Sequence, residues 1–182
     1  MYESYEDLQA LQDLLDRSHA VRGKHMRSII TDDRRLTAQQ LSDRLTSMRL
    51  LSLATVTKDG RPRNAPVDGF FYRGAFWFGS SPSALRIRHI RQRPQVSVTY
   101  LEGEALGIVV HGRAEIVDHE TERFRGFARH AAETYGEWWP KQMIAWHEEF
   151  GGPAPYAQIN ADRMFVFAMP AQPPPETPFA EY

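Results

Sequence analysis

The stretch LLSLATVTKDGRPRNAPVDGFFYRGAFWFG, residues 50–79, restricts the fold more than any other part of the chain. Its first half, LLSLATVT, is apolar and partly β-branched, and it stops at Lys58-Asp59-Gly60. An Asp-Gly pair between apolar runs is among the strongest short-range signals for a β-hairpin. The return segment RNAPVDGFFY breaks at Arg73-Gly74, and AFWFG follows as a short aromatic strand. Turns this short join antiparallel neighbours, because a parallel pair needs a crossover of a dozen or more residues.

Further along, QVSVTYL and LGIVVHGRAEIVD read as two more strands separated by EGE, and AQINADRMFVFAM reads as the last. Gly112 in the middle of its strand predicts a bulge or a close backbone approach. The pattern predicts a mainly β protein with helices (α+β), a six-stranded antiparallel sheet rolled into a small barrel. A barrel of that size is filled by its own side chains, so any sizeable ligand lies outside it.

Helical periodicity appears on both sides of this core. Residues 5–17 carry Leu8, Leu11 and Leu15 at helical spacing. In TAQQLSDRLTSM, Thr37 is a candidate N-cap with Gln40 three residues on, followed by Leu41, Leu45 and Met48 along one face. The polar segment between them, HAVRGKHMRSIITDDRR, reads as a connector. After Asp118 the pattern turns helical again through HETERFRGFARHAAETYG and WPKQMIAWHEEF, with Pro140 suited to a first turn. The expected organisation is a helical extension over 1–48, a barrel domain over 49–169 and a proline-rich tail over 170–182, extended or disordered.

Composition removes several functions. Without cysteine there is no disulfide, thiolate nucleophile or cysteine-ligated metal. No apolar run approaches the roughly 18 residues of a membrane span, and the acidic start MYESYEDLQ lacks a signal-peptide pattern, so a cytoplasmic location is expected. A formal net charge of −1 argues against nucleic acid as a partner. Locally the balance differs: residues 69–101 contain five arginines and no carboxylate, whereas residues 102–149 carry ten acids. A positive field confined to one short stretch fits a small anion.

That stretch is SSPSALRIRHIRQRP, residues 80–94. Ser81 reads as a helix cap and Pro82 as the first helical residue, with helix continuing to Pro94. Ile87 and Ile90 then face the sheet, while Arg86, His89 and Arg93 share a flank. Free N–H groups, two serine hydroxyls and Arg86 together suit a phosphate monoester. The alternative is a surface helix whose arginines, three of the four above all, pair with acids of later segments.

From Leu50 to Asp118 the order of parts resembles the flavin-binding split β-barrel superfamily of pyridoxamine 5'-phosphate oxidase. The resemblance rests on DGRPRNAPV, the aromatic strand, SSPSALRIRHIRQRPQVSV and GRAE, with weaker support from the final strand. It implies that Arg63, Asn64, Ala65 and Pro66 line the flavin ring and ribityl chain, partly through backbone groups. It implies that Ser80 and Ser81 match the polar pair after the aromatic strand, and that Arg86 matches the phosphate-binding Lys or Arg. With Leu85 beside Arg86, these eight residues form the implied cofactor-binding set. Where the oxidase has a Ser-Arg pair this chain has Ala84 and Leu85, and Gly107 best fits the position of a flavin-contacting glutamine. These departures argue against pyridoxamine phosphate as substrate.

The implied cofactor is FMN, held between two barrels of a C2 homodimer. The deazaflavin coenzyme is the rival, since one branch of the superfamily has KxRNLRRxP where this chain has RIRHIRQRP. The implied activity is redox chemistry on a small organic substrate by hydride transfer through the flavin. A non-catalytic carrier or sensor of flavin, deazaflavin or haem is the alternative.

His111 is a candidate for tuning a flavin or ligating haem, against the plainer reading of a hydrogen-bonded interior histidine. Tyr135, Trp138, Trp139 and Trp146 form an aromatic cluster that either covers the flavin from the partner chain or packs as core or interface. His119, His130 and His147 lie at no metal-ligand spacing with acids, so no metal is expected.

Overall fold

The computed structural model describes residues 2–170, so most of the proline-rich tail lies outside the described residues. Helices α1 (Tyr5–Ala20), α2 (Lys24–Ile29) and α3 (Ala38–Arg44) precede three strands, β1 (Arg49–Val56), β2 (Pro62–Tyr72) and β3 (Ala75–Gly79). Then come α4 (Leu85–Gln92), β4 (Gln95–Glu102), β5 (Leu106–Ile116), α5 (Glu122–Tyr135), α6 (Trp138–Phe150) and β6 (Tyr156–Ala168). The strands form a closed antiparallel barrel in the order β1-β2-β3-β6-β5-β4, the α+β architecture expected from the hairpin spacing.

Local chemistry sets each junction. The β2–β3 turn has two central residues, Arg73 and Gly74, with φ of 51° and 74°. Two left-handed residues in succession match the twist of a tight hairpin, and the Arg73 side chain is anchored at 2.8 Å on Asp7 of α1. In β5 the register with β6 shifts between His111 and Gly112, and a Cβ at Gly112 would fall on the carbonyl of Asn160. The mid-strand glycine thus marks both a bulge and a close approach, as expected.

Alternation along the strands divides the buried residues into two sets. Val67, Phe71, Phe76 and Phe78 point into the barrel with Leu51, Leu53, Val98 and Ile108. Leu11, Leu15, Leu41 and Leu45 belong to the same cluster, so α1 and α3 close the barrel rather than pack apart from it. Ser18 of α1 accepts the Met164 N–H of β6 at 2.9 Å, tying helix to barrel. The opposite faces of β2, β3 and β6 carry Phe70, Trp77 and Tyr156, which pack under Phe124, Phe127 and Trp139 of α5 and α6. Trp77 and Phe127 stack with ring centroids 4.5 Å apart.

Two helical expectations are corrected. The segment read as a connector contains α2 and a 3-10 turn, Asp32–Arg34; neither buries a residue, so neither leaves an apolar stripe in the sequence. Helix α3 has the expected Thr37–Gln40 capping box but ends at Arg44, so Leu45 and Met48 lie beyond it. Leu45 still enters the barrel cluster, while Met48 packs against the outer one.

Candidate functional site

The link between β3 and α4 leaves the barrel at Ser80, which is buried and donates its N–H to the Pro155 carbonyl at 3.1 Å. Ser81 does not cap the helix. Its hydroxyl accepts the Ser83 N–H and its carbonyl accepts the Ala84 N–H at 3.0 Å, so Pro82 and Ser83 form a turn. Helix α4 opens one turn later than expected, with Ala84 as N-cap and no side-chain cap. The N–H groups of Leu85 and Arg86 consequently lack an acceptor among the described residues.

Ile87 and Ile90 are buried against the barrel as expected. The charged flank behaves differently. His89 is buried, with Nδ1 3.0 Å from the Thr55 hydroxyl. Arg86 turns back over β2 and donates to the Pro66 carbonyl at 3.3 Å. Among the described residues none of Arg86, Arg88, Arg91 and Arg93 forms an ion pair with a carboxylate, which overturns the expectation that three of them do. Burial lowers the Arg86 pKa below its ordinary value, as it must for a guanidinium taken out of water without a counter-charge.

Three adjoining depressions meet at this point. The first, about 460 Å³, has Arg63, Asn64, Ala65, Leu85 and Arg86 in its walls, with Thr55 and His89 beneath and no carboxylate. The second, about 370 Å³, shares Arg86 with the first and adds Pro66, Ser80 and Ser81. The third lies on the outer face of β1 and β2, where Asn64, Ala65 and Pro66 sit beside Leu50 and Leu101. All eight residues singled out from the sequence therefore fall on one continuous strip. Asn64 is held in place by Ser52 across the β1–β2 pair, at 2.8 Å from its Nδ2.

The second depression contains residues that the motif reading missed. Its far wall is Asp68, Phe70 and Tyr156 of the sheet, closed over by Tyr135 of α5 and by Trp138, Trp139 and Trp146 of α6. The Tyr135 hydroxyl donates to Asp68 Oδ2 at 3.3 Å, and the Trp139 indole donates to the Tyr156 hydroxyl at 3.0 Å. Burial pushes the Tyr156 phenol up to about 12. Burial and the carboxylate of Asp68 push Tyr135 up as well, so both phenols stay neutral. The aromatic cluster seen in the sequence thus lines a cavity of its own chain, with Trp139 also buried against the outer core. Alternation in β2 gives only the face of Asp68: Val67 and Phe71 point inward, which leaves Asp68 and Phe70 on the opposite side, over which the helices fold.

Two further candidates are placed elsewhere. Gly107 lines none of these depressions; it is packed so closely on Phe167 that a Cβ would enter the ring. His111 is exposed on the outer face of β5, 2.8 Å from the Ser97 hydroxyl, and is not the interior histidine expected. The cause is the register, which pairs it with outward-facing Ser97. Among the described residues no group of three His, Cys, Asp or Glu side chains could hold a metal ion, and no helix is long and apolar enough to cross a membrane.

The sequence profile of the family described as pyridoxamine 5'-phosphate oxidase matches residues 37–167, from the α3 cap to the end of β6. The chain belongs to that family. No curated protein matches it. Similar solved structures include the conserved hypothetical protein Rv2991 of Mycobacterium tuberculosis, 20% identical with a TM-score of 0.62, covering 79% of this chain and 95% of the other. The heme storage protein HutZ of Vibrio cholerae is 19% identical with a TM-score of 0.57, over 71% and 93% of the two chains. A FAD-binding protein of Mesorhizobium loti is 23% identical with a TM-score of 0.52, over 74% and 96%. At such identities the likeness shows the fold, which this member of the pyridoxamine 5'-phosphate oxidase family shares with flavin-binding and haem-storing proteins alike.

Proposed function

We propose that this protein is a flavin-dependent oxidoreductase that binds FMN along the strip from Arg63 to Pro66, with the phosphate between Arg63 and Arg86. One observation carries the reading: Arg86 is half-buried, has no carboxylate partner among the described residues, and stands where all eight implied cofactor residues meet. A buried cation without a counter-ion is costly, and a phosphate that accepts from the guanidinium and from the free N–H groups of Leu85 and Arg86 removes that cost. The depressions lie within the roughly 300–1,000 Å³ typical of small-molecule sites, and their walls are mostly apolar, as a ring system requires.

When bound, a flavin supplies two-electron chemistry by hydride transfer at its ring. The residues of this chain bind, orient and shield. Asn64, fixed by Ser52, offers an amide beside the strip, and the Trp138, Trp139 and Trp146 side chains cover the cavity in which a small organic substrate would lie. Leu50 and Leu101, 62% and 60% exposed, flank the strip on the outer sheet face, which supports a second copy of the chain closing the site as a C2 homodimer.

A deazaflavin ligand is the second reading, favoured by one feature. Arg88 and Arg91 are exposed on α4 without carboxylate partners among the described residues, ready for a longer acidic tail. Titration of the purified protein with FMN and with the deazaflavin coenzyme separates the two. Arg86→Ala weakens whichever ligand binds by about 30-fold, corresponding to about 2 kcal/mol for a charge-assisted contact. Turnover of a nicotinamide reductant with the bound ligand separates an enzyme from a carrier; binding without turnover would contradict the oxidoreductase assignment.

A further inference from the structure

The second depression is lined by groups of opposite charge. Arg86, with Ser80 and Ser81, is used by the flavin reading; Asp68 is not. Asp68 forms no ion pair among the described residues, and its hydrogen-bond partner is a neutral phenol, Tyr135. After burial, the Asp68 charge also raises the pKa of Tyr135 and Tyr156, which line the same cavity. Arg86 lines the same depression, but its guanidinium donates to the Pro66 carbonyl and forms no ion pair with Asp68.

The walls around this carboxylate are aromatic and set at angles to one another. Phe70 and Tyr135 meet at 79° with centroids 5.3 Å apart, Tyr135 and Trp138 at 55° and 5.2 Å, Trp139 and Tyr156 at 57° and 6.0 Å. Trp146 completes the enclosure. Rings set at angles around one space offer it both edges and faces; the faces carry the negative charge, and such a space with a carboxylate in its lining attracts an organic cation.

We propose that the cavity between β2 and α6 selects a positively charged organic substrate, an amine or quaternary ammonium compound, through Asp68 and the aromatic box. This deepens the flavin reading by naming the substrate class of the same site. Asp68 supplies the counter-charge, Tyr135 positions its carboxylate, and the Trp and Tyr faces take up the apolar body of the cation.

The test uses benzyltrimethylammonium and its neutral counterpart benzyl alcohol as probes, followed by quenching of tryptophan fluorescence on the full-length protein without added flavin. The wild type is expected to prefer the cation over the neutral probe by about ten-fold. Asp68→Asn removes the preference, Tyr135→Phe weakens it a few-fold, and the exposed Glu104→Gln leaves it unchanged. Equal affinity for cation and neutral probe, or an unaltered preference in Asp68→Asn, would overturn the proposal. Because the preference is read before flavin is added, a parallel FMN titration judges the cofactor reading separately.

Discussion

Arg86 and Asp68, which line the same cavity with opposite charges, show what single residues contribute here. Arg86 was legible because a cation in a local excess of arginine, three residues from a serine, is a recognisable anion signal. Asp68 was not, because nothing in PVDGFF shows that α5 and α6, some sixty residues later, will fold over the outer face of its strand. Tyr156 illustrates polar satisfaction: Tyr156→Phe leaves the buried Trp139 indole without its acceptor, and urea denaturation should show a loss of about 1–3 kcal/mol. His19 provides the pH response. It is 5% exposed, both ring nitrogens lack partners among the described residues, and burial with nearby Arg35 and Arg22 lowers its pKa to about 4. Between that value and the ordinary 6.5 the unfolded chain holds a proton that the folded chain lacks, so stability falls as pH drops through this window. His119 and His130, both lowered mainly by burial, act in the same direction. Thermal melts from about pH 7.5 to about pH 5 should show a falling Tm, and His19→Leu should flatten the fall.

Among the elements, the strands were the easiest to read and the short helices the hardest. Strands of the barrel carry an inward apolar row of period two, and the β2–β3 turn contains Gly74, the residue that left-handed geometry favours, after a left-handed Arg73. Helix α2 buries nothing, so no periodicity betrays it. The start of α4 was misplaced because a serine before a proline satisfies the rules for a cap and for a β-turn equally, and Ser81 is used for the turn. The β5 bulge is the element most sensitive to change. Gly112→Ala drives a methyl group into the Asn160 backbone, which cannot swing aside as a side chain does, and a destabilisation of about 1–3 kcal/mol is expected in chemical denaturation. Loss of the α3 capping box in Thr37→Ala should cost about 1 kcal/mol by the same measurement.

For the whole molecule, the barrel is filled, so a ligand has only its outer surfaces, and the strip from Arg63 to Pro66 opens onto the sheet face that carries exposed Leu50 and Leu101. The account expects that face to be covered by a second copy. Sedimentation velocity should show a dimer for the wild type and a monomer for Leu101→Glu, with flavin affinity falling in step. Barrel topology was readable from hairpin spacing, and the strip from the resemblance of residues 50–118 to the family; the aromatic cavity was not, since it depends on where α6 comes to rest over β2. The central claim is that Arg86 grips a phosphate. It is tested most directly by comparing FMN with riboflavin, which lacks the phosphate, on wild type and Arg86→Ala by calorimetric titration. The account expects the wild type to favour FMN by about 30-fold and Arg86→Ala to lose that preference while binding riboflavin unchanged. Equal binding of FMN and riboflavin by the wild type, or a preference that survives the substitution, would contradict it.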